Sequence, residues 1–241
     1  MTPPILEVRN LHYAYPGSGK EALSGVSFSL AEGEKTALVG PNGSGKSTLL
    51  LHIAGALNAP KGALWLRGES ADPEAMRQSV GLIFQEPDDQ LFMPSVIEDA
   101  AFGLVARGMA VDEAQARALS ALSGLGVPHL ASRPPHRLSG GEKRMAALAG
   151  ILAMEPDILV LDEPTAALDP RARRRVIEVL QQMNKTLLLA THDLDMALDV
   201  CSRALILQGG RVSAEGPLPG LFRDAALLDE NGLELPLRWA I

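Results

Sequence analysis

The stretch Lys35-Thr36-Ala37-Leu38-Val39-Gly40-Pro41-Asn42-Gly43-Ser44-Gly45-Lys46-Ser47-Thr48 decides the fold. Its first five residues read as a buried strand, its middle as a glycine-rich turn and its end as a helix beginning near Ser47. That order of elements is the context a phosphate-binding loop requires. Glycines let the backbone turn tightly and bring its N–H groups against phosphate oxygens, and the helix N-terminus adds partial positive charge. Gly40, Pro41, Asn42, Gly43, Ser44, Gly45, Lys46, Ser47 and Thr48 are therefore the expected nucleotide-binding residues. Lys46 is expected to reach the β- and γ-phosphates of ATP, and the Ser47 hydroxyl oxygen to face Mg²⁺.

Working outward, short apolar runs recur between helix-like stretches, the pattern of an α/β fold with a largely parallel central sheet. Lys35 to Val39, Val80 to Phe84, Ile158 to Leu161, Leu187 to Ala190 and Ala204 to Leu207 read as its buried strands. Ile5 to Val8, Val26 to Leu30 and Ala63 to Arg67 alternate or are β-rich with turns between them, which predicts a flanking antiparallel sheet. Between Pro94 and Met154 the strand runs stop and Ala- and Leu-rich helical spacing takes over, so a helical subdomain is inserted there, over about residues 86–155. Arg171 to Met183 places Val176, Val179, Leu180 and Met183 on one helical stripe, read as core packing. After Gly216 the chain reads as loop until a short tail, Leu221 to Leu228, within a C-terminal segment of about residues 217–241. The expected whole is a single domain over residues 1–241.

Composition narrows the setting. The 241 residues carry 22 Lys plus Arg against 29 Asp plus Glu, a net charge of −7, which argues against a nucleic-acid binder driven by phosphate contacts and against adhesion to anionic lipid. Arg171, Arg173, Arg174 and Arg175 are the one dense basic run and read as a solvated helix face. The single cysteine, Cys201, rules out an intrachain disulfide framework and suits a reducing compartment. The longest stretch free of Asp, Glu, Lys and Arg, Ala118 to Ser132, is broken by Gly124, Gly126 and Pro128 and falls short of the roughly 20 apolar residues of a spanning helix. The N-terminus, Met1 to Glu7, has no positive start and no apolar core of a secretion signal, so a cytoplasmic protein is expected.

A phosphate-binding loop alone leaves several nucleotide-hydrolysing and kinase classes open. Ile158-Leu159-Val160-Leu161-Asp162-Glu163 adds an apolar strand ending in two carboxylates, which offers Asp162 to the Mg²⁺ shell and Glu163 to orient or deprotonate the attacking water. A guanine-specific site would want Asn-Lys-x-Asp. The nearest match, Asn184-Lys185-Thr186-Leu187, lacks the acid. Leu138-Ser139-Gly140-Gly141-Glu142 follows Lys46 by about ninety residues and supplies a second anion-binding helix start.

With that pentapeptide the sequence resembles the ATP-binding cassette family, whose signature most often ends in Gln where Glu142 stands. The resemblance implies a P-loop NTPase (RecA-like) core with an antiparallel β subdomain and the inserted helical subdomain. It also implies two cassettes pairing head to tail, as homodimer or heterodimer, with ATP between the P-loop of one and Ser139, Gly140, Gly141 and Glu142 of the other. Tyr15 matches the aromatic that stacks on adenine, with Tyr13 a close rival. Gln85 matches the glutamine that touches metal and water, Ala167-Leu168-Asp169 the loop that crosses to the partner cassette, and His192 the histidine that contacts the γ-phosphate.

Gln85-Glu86-Pro87-Asp88-Asp89-Gln90-Leu91-Phe92 is similar to the segment of energy-coupling factor ATPases and their cobalt and nickel relatives, in which a second glutamine, here Gln90, opens a short helix beside the groove for the membrane partner. The ending Gly232-Leu233-Glu234-Leu235-Pro236 is similar to the same group. In Glu142-Lys143-Arg144-Met145 the chain departs from relatives that place arginine where Met145 stands, and Arg144 is the substitute at hand. The resemblance implies an ATP-hydrolysing importer subunit, peripheral on the cytoplasmic face of the cell membrane. Its partners are a transmembrane coupling subunit and a substrate-capture membrane subunit. Cobalt or nickel is the expected cargo, with biotin or another vitamin as the alternative. A cassette ATPase of repair or translation is the alternative of another class. The interval from Lys46 to Ser139 has no room for the long coils of a repair-type protein.

Overall fold

Thr36, Ala37, Leu38 and Val39 have no exposed surface, and this run forms the central strand of a parallel sheet. The computed structural model describes residues 3–239, so Met1, Thr2, Ala240 and Ile241, the ends of the expected domain and the start of the segment read for a signal, lie outside the described residues. In chain order the elements are β1 (Leu6–Ala14), β2 (Glu21–Leu30), β3 (Lys35–Val39), α1 (Lys46–Ile53), β4 (Leu64–Leu66), β5 (Glu69–Ser70), α2 (Pro73–Ser79) and β6 (Val80–Ile83). Then come α3 (Val96–Ala106), α4 (Val111–Gly124), α5 (Gly140–Ala153), β7 (Ile158–Asp162), α6 (Pro170–Gln182), β8 (Thr186–Ala190) and α7 (Leu194–Val200). The chain closes with β9 (Arg203–Gln208), β10 (Arg211–Pro217), α8 (Leu218–Leu221) and α9 (Ala225–Glu230). They fall into two compact units: the chain up to Val80 with Asp157–Asp162 and everything from Asn184 onward, and Gly81–Pro156 with Glu163–Met183.

The first unit holds two sheets. An antiparallel sheet runs β2-β1-β4-β5, as the alternating N-terminal segments predict. The second sheet takes the order β10-β9-β3-β8-β7, with β9, β3, β8 and β7 parallel and β10 antiparallel at the edge. Its register aligns Leu38 of β3, Ala190 of β8 and Asp162 of β7 in one row, so the residues that follow these three strands leave the sheet at the same end. Carboxyl ends of parallel strands are where ligands bind in open α/β sheets.

One face of that sheet is covered by the C-terminal segment, and here the structure corrects the loop expected after Gly216. Edge strand β10 runs to Pro217, and α8 and α9 follow at once. Leu218, Phe222 and Leu228 are buried in a cluster with Ala37, Val39, Ala204 and Ile206. Each such side chain contributes about 1.5–3 kcal/mol of burial, which orders helices too short to form alone.

The second unit is helical. α3, α4 and α5 meet through Ala100, Ala101, Ala114, Ala118 and Ala153, small residues that let helix axes approach closely, with Leu104 buried among them. Asp169 caps α6 by accepting from the N–H groups of Arg171 and Ala172. Val176 and Leu180 of the expected stripe are buried, but Ile177 replaces Val179 and Met183, which are half-buried; Met183 lies past the last helical residue with extended backbone. Arg171, Arg174 and Arg175 are exposed, as a solvated face predicts, whereas Arg173 is half-buried, and Arg175 donates to the carbonyls of Leu125 and Gly126. Among the described residues no helix is long and apolar enough to cross a membrane.

Candidate active site

The glycine-rich loop leaves β3 and enters α1, as the sequence predicts. At Gly40 a Cβ would collide with the Leu207 carbonyl oxygen of the neighbouring strand β9, so only glycine lets the loop start this close to the sheet. Lys46 is 8% exposed, and its ammonium donates to the carbonyls of Gly40 at 2.7 Å and Pro41 at 3.1 Å. The side chain thus folds back over the loop it belongs to. Ser44 Oγ is buried with no hydrogen-bond partner. A buried hydroxyl left unsatisfied in a glycine-rich turn fits a phosphate oxygen as its partner.

Ser47 is exposed at the first turn of α1 and Asp162 is half-buried at the end of β7. Both are hard oxygen donors, and among the described residues no group of three or more His, Cys, Asp or Glu side chains is arranged to hold a metal. A sparse oxygen donor set suits Mg²⁺, which keeps waters and substrate phosphates as its remaining ligands. His192 is exposed just beyond β8. Thr191 fixes that exit, its N–H donating to the Leu38 carbonyl and its hydroxyl accepting from the Asp193 N–H, while Asp193 caps α7.

The two tyrosines differ in setting. Tyr13 is half-buried between the rings of His52 and Tyr15, edge to face with each. Tyr15 is 42% exposed, and its hydroxyl lies 3.1 Å from Thr48 Oγ1 in α1. The Tyr15–Thr48 contact joins residues 33 apart in sequence and was not visible in it.

In the second unit, Glu163 has a left-handed backbone, φ 45°, and is 8% exposed. A non-glycine residue held there costs on the order of 1–3 kcal/mol, a strain that collects at functional positions. The Glu163 carbonyl accepts from the Ala166 N–H, and Ala167 is again left-handed. Ser139 starts α5 in a reciprocal capping box with Glu142. Glu142 accepts from the Ser139 N–H and hydroxyl on one oxygen and from Arg133, at 2.7 Å, on the other. The Ser139 N–H, its hydroxyl and Arg133 hold the Glu142 carboxyl below the usual range. An added Cβ on Gly141 would lie 2.6 Å from Ala172 Cβ in α6, so this glycine is needed for packing.

Gln85 is exposed after β6. Gln90 does not open a short helix as expected. It ends one, a 3₁₀ turn over Pro87–Asp89, because proline favours the first helical position. The Gln90 side chain turns inward, accepting from the Phe84 N–H and donating to the Leu82 carbonyl, each at 3.4 Å. Beyond it Asp99 accepts from the N–H groups of Phe92 and Met93, and burial raises its carboxyl against those bonds.

The sequence model of the ABC transporter family matches residues 23–166. The chain belongs to the ABC transporter family. The energy-coupling factor transporter ATP-binding protein EcfA of Methanosphaera stadtmanae is 42% identical over 240 residues, 96% of this chain and 86% of that one. The structure of cbiO1 from Clostridium perfringens, part of the ABC transporter complex cbiONQ, is 36% identical and covers 94% of each chain with a TM-score of 0.81. The dimeric post-hydrolysis structure of the ATP-binding cassette MJ0796, bound to ADP and Pi, is 28% identical and covers 88% of this chain and 98% of that one, with a TM-score of 0.77. The fold is therefore the P-loop cassette, and the chain is an ABC transporter ATPase of the type to which energy-coupling factor proteins belong. ABC transporter ATPases bind ATP and work as dimers with transmembrane components.

Proposed function

We propose that this ABC transporter ATPase is the ATP-hydrolysing subunit of an energy-coupling factor type importer that takes up cobalt or nickel. The observation that carries the docking part of this reading is aromatic. Phe92 is 63% exposed and Phe102 45% exposed, and their rings meet edge to face 5.0 Å apart, with exposed Phe84 in the preceding loop. Clustered exposed aromatics of this kind mark a protein partner, here an apolar helix of a transmembrane coupling subunit. Phe102 is a surface residue that the sequence reading missed. The cargo rests on the resemblance of the ending Gly232-Leu233-Glu234-Leu235-Pro236 to the cobalt and nickel members of the group.

In this reading two cassettes pair head to tail around ATP. Lys46 and the N–H groups of the loop from Asn42 to Thr48 hold the phosphates, and Tyr15, the more exposed tyrosine, stacks on adenine. Ser139, Gly140, Gly141 and Glu142 close on the same nucleotide from the other cassette. Ser47, Asp162 and Gln85 are the residues that would hold Mg²⁺, whose chemistry there is to neutralise phosphate charge. Glu163 orients and deprotonates the water that attacks the γ-phosphorus as ADP leaves, and His192 contacts the γ-phosphate. A peripheral place on the cytoplasmic membrane face follows from docking on the coupling subunit.

The test is co-purification of the chain with its transmembrane subunit, together with cobalt uptake by the producing cells. The F92S/F102S variant is expected to lose both while the isolated chain keeps its ATPase rate. Undiminished association and uptake would refute the docking reading.

A further inference from the structure

Arg144 is 2% exposed in the second turn of α5. A guanidinium buried this far needs acceptors for its N–H groups. Its two terminal nitrogens donate to consecutive main-chain carbonyls, those of Phe84 and Gln85, each at 2.5 Å. A planar fork on two successive carbonyls fixes both the position and the rotation of the peptide between them. That peptide carries Gln85. The rest of the loop is tied to the same base: Gln90 reaches the Phe84 N–H and the Leu82 carbonyl, and Lys143, next to Arg144, pairs with Asp88 at 2.5 Å. The first turns of α5 therefore hold both the capped turn at Ser139 and the backbone of the Gln85 loop.

We propose that Arg144 is the positioning residue for Gln85, fixing the glutamine backbone to the helix that begins at Ser139. This rests on the reading of Gln85 as the residue that touches metal and water. Met145, whose side chain has no donor, cannot serve in this way, and the arginine one position earlier does. Lysine at position 144 would keep the charge but lose the fork.

The experiment uses the full chain as wild type, R144A, R144K, Q85A and R144A/Q85A, with kcat and KM for ATP measured alongside amide exchange. R144A is expected to lower kcat by about 10- to 100-fold, the usual loss for a residue that orients another. KM should hold, R144K should recover part of the loss, and the double variant should be no slower than Q85A. Exchange at Phe84 to Gln90 should rise in R144A while that of α4 stays as it is. If the two losses multiply, or if exchange in the loop is unchanged, Arg144 does not position Gln85, and the reading of Gln85 stands. If Q85A alone turns over at the wild-type rate, the reading of Gln85 fails and the catalytic purpose of the clamp fails with it. Should R144A not fold, R144K carries the same comparisons, with a smaller loss and the same lack of additivity.

Discussion

The Lys46 ammonium lies 2.7 Å from the Gly40 carbonyl oxygen, six residues back along the same loop. The lysine thus braces the turn and keeps its charge at the loop proposed to bind phosphate. Replacing it with alanine removes a charge-assisted donor, a loss of about 1.5–3 kcal/mol. ATP affinity measured by calorimetry should fall by about 10- to 100-fold or more. An unchanged affinity would remove Lys46 from phosphate binding.

Two adjacent glycines should respond oppositely to the same change. At Gly140 an added Cβ meets Leu168 Cδ2 at an ordinary 3.5 Å, whereas at Gly141 it meets Ala172 Cβ at 2.6 Å. G140A should be neutral or slightly stabilising, since alanine is the better helix former. G141A should cost about 1–3 kcal/mol by overpacking. Urea unfolding midpoints of the two variants check the pair.

Burial pushes the Cys201 thiol up to about 12, against an opposing pull from Lys35. At pH 8 the folded protein should then hold very little thiolate, the reactive form. Iodoacetamide should label native Cys201 at least about 100-fold more slowly than the urea-unfolded chain. Equal rates would mean that the thiol is not shielded.

Asp89 and Gln90 are neighbours with different work. Asp89 is exposed, whereas Gln90 spends its amide on Leu82 and Phe84. D89K should leave the ATPase rate of the isolated chain intact and weaken association with the transmembrane subunit. Q90A should loosen the Gln85 loop and lower the ATPase rate itself. Steady-state turnover and co-purification, measured on both variants, separate the two roles.

What the sequence made legible follows physical lines. β3 matches its expected bounds because an apolar run ends there at a glycine turn, and β7, β8 and β9 extend theirs only by a polar residue or two that the ladder includes regardless of polarity. β10 alternates exposed and half-buried positions at a sheet edge and carries no apolar run to read. α8 and α9 are too short to show periodicity and are set by the burial of Leu218, Phe222 and Leu228 against the sheet. The glycine-rich loop was readable because its chemistry is local. The grip of Arg144 on Phe84 and Gln85 was not, since it joins positions about sixty residues apart and depends on which side of α5 is buried.

Glu163 bears most directly on the account, because the proposed function gives this buried residue, with its left-handed backbone, the task of activating the attacking water. Glutamine keeps its size and removes the base. The deciding measurement is ATP turnover of E163Q against wild type, with ATP binding measured on the same samples. A loss of about 100- to 10,000-fold in turnover with ATP still bound is the result expected for a general base; turnover at the wild-type rate would contradict it.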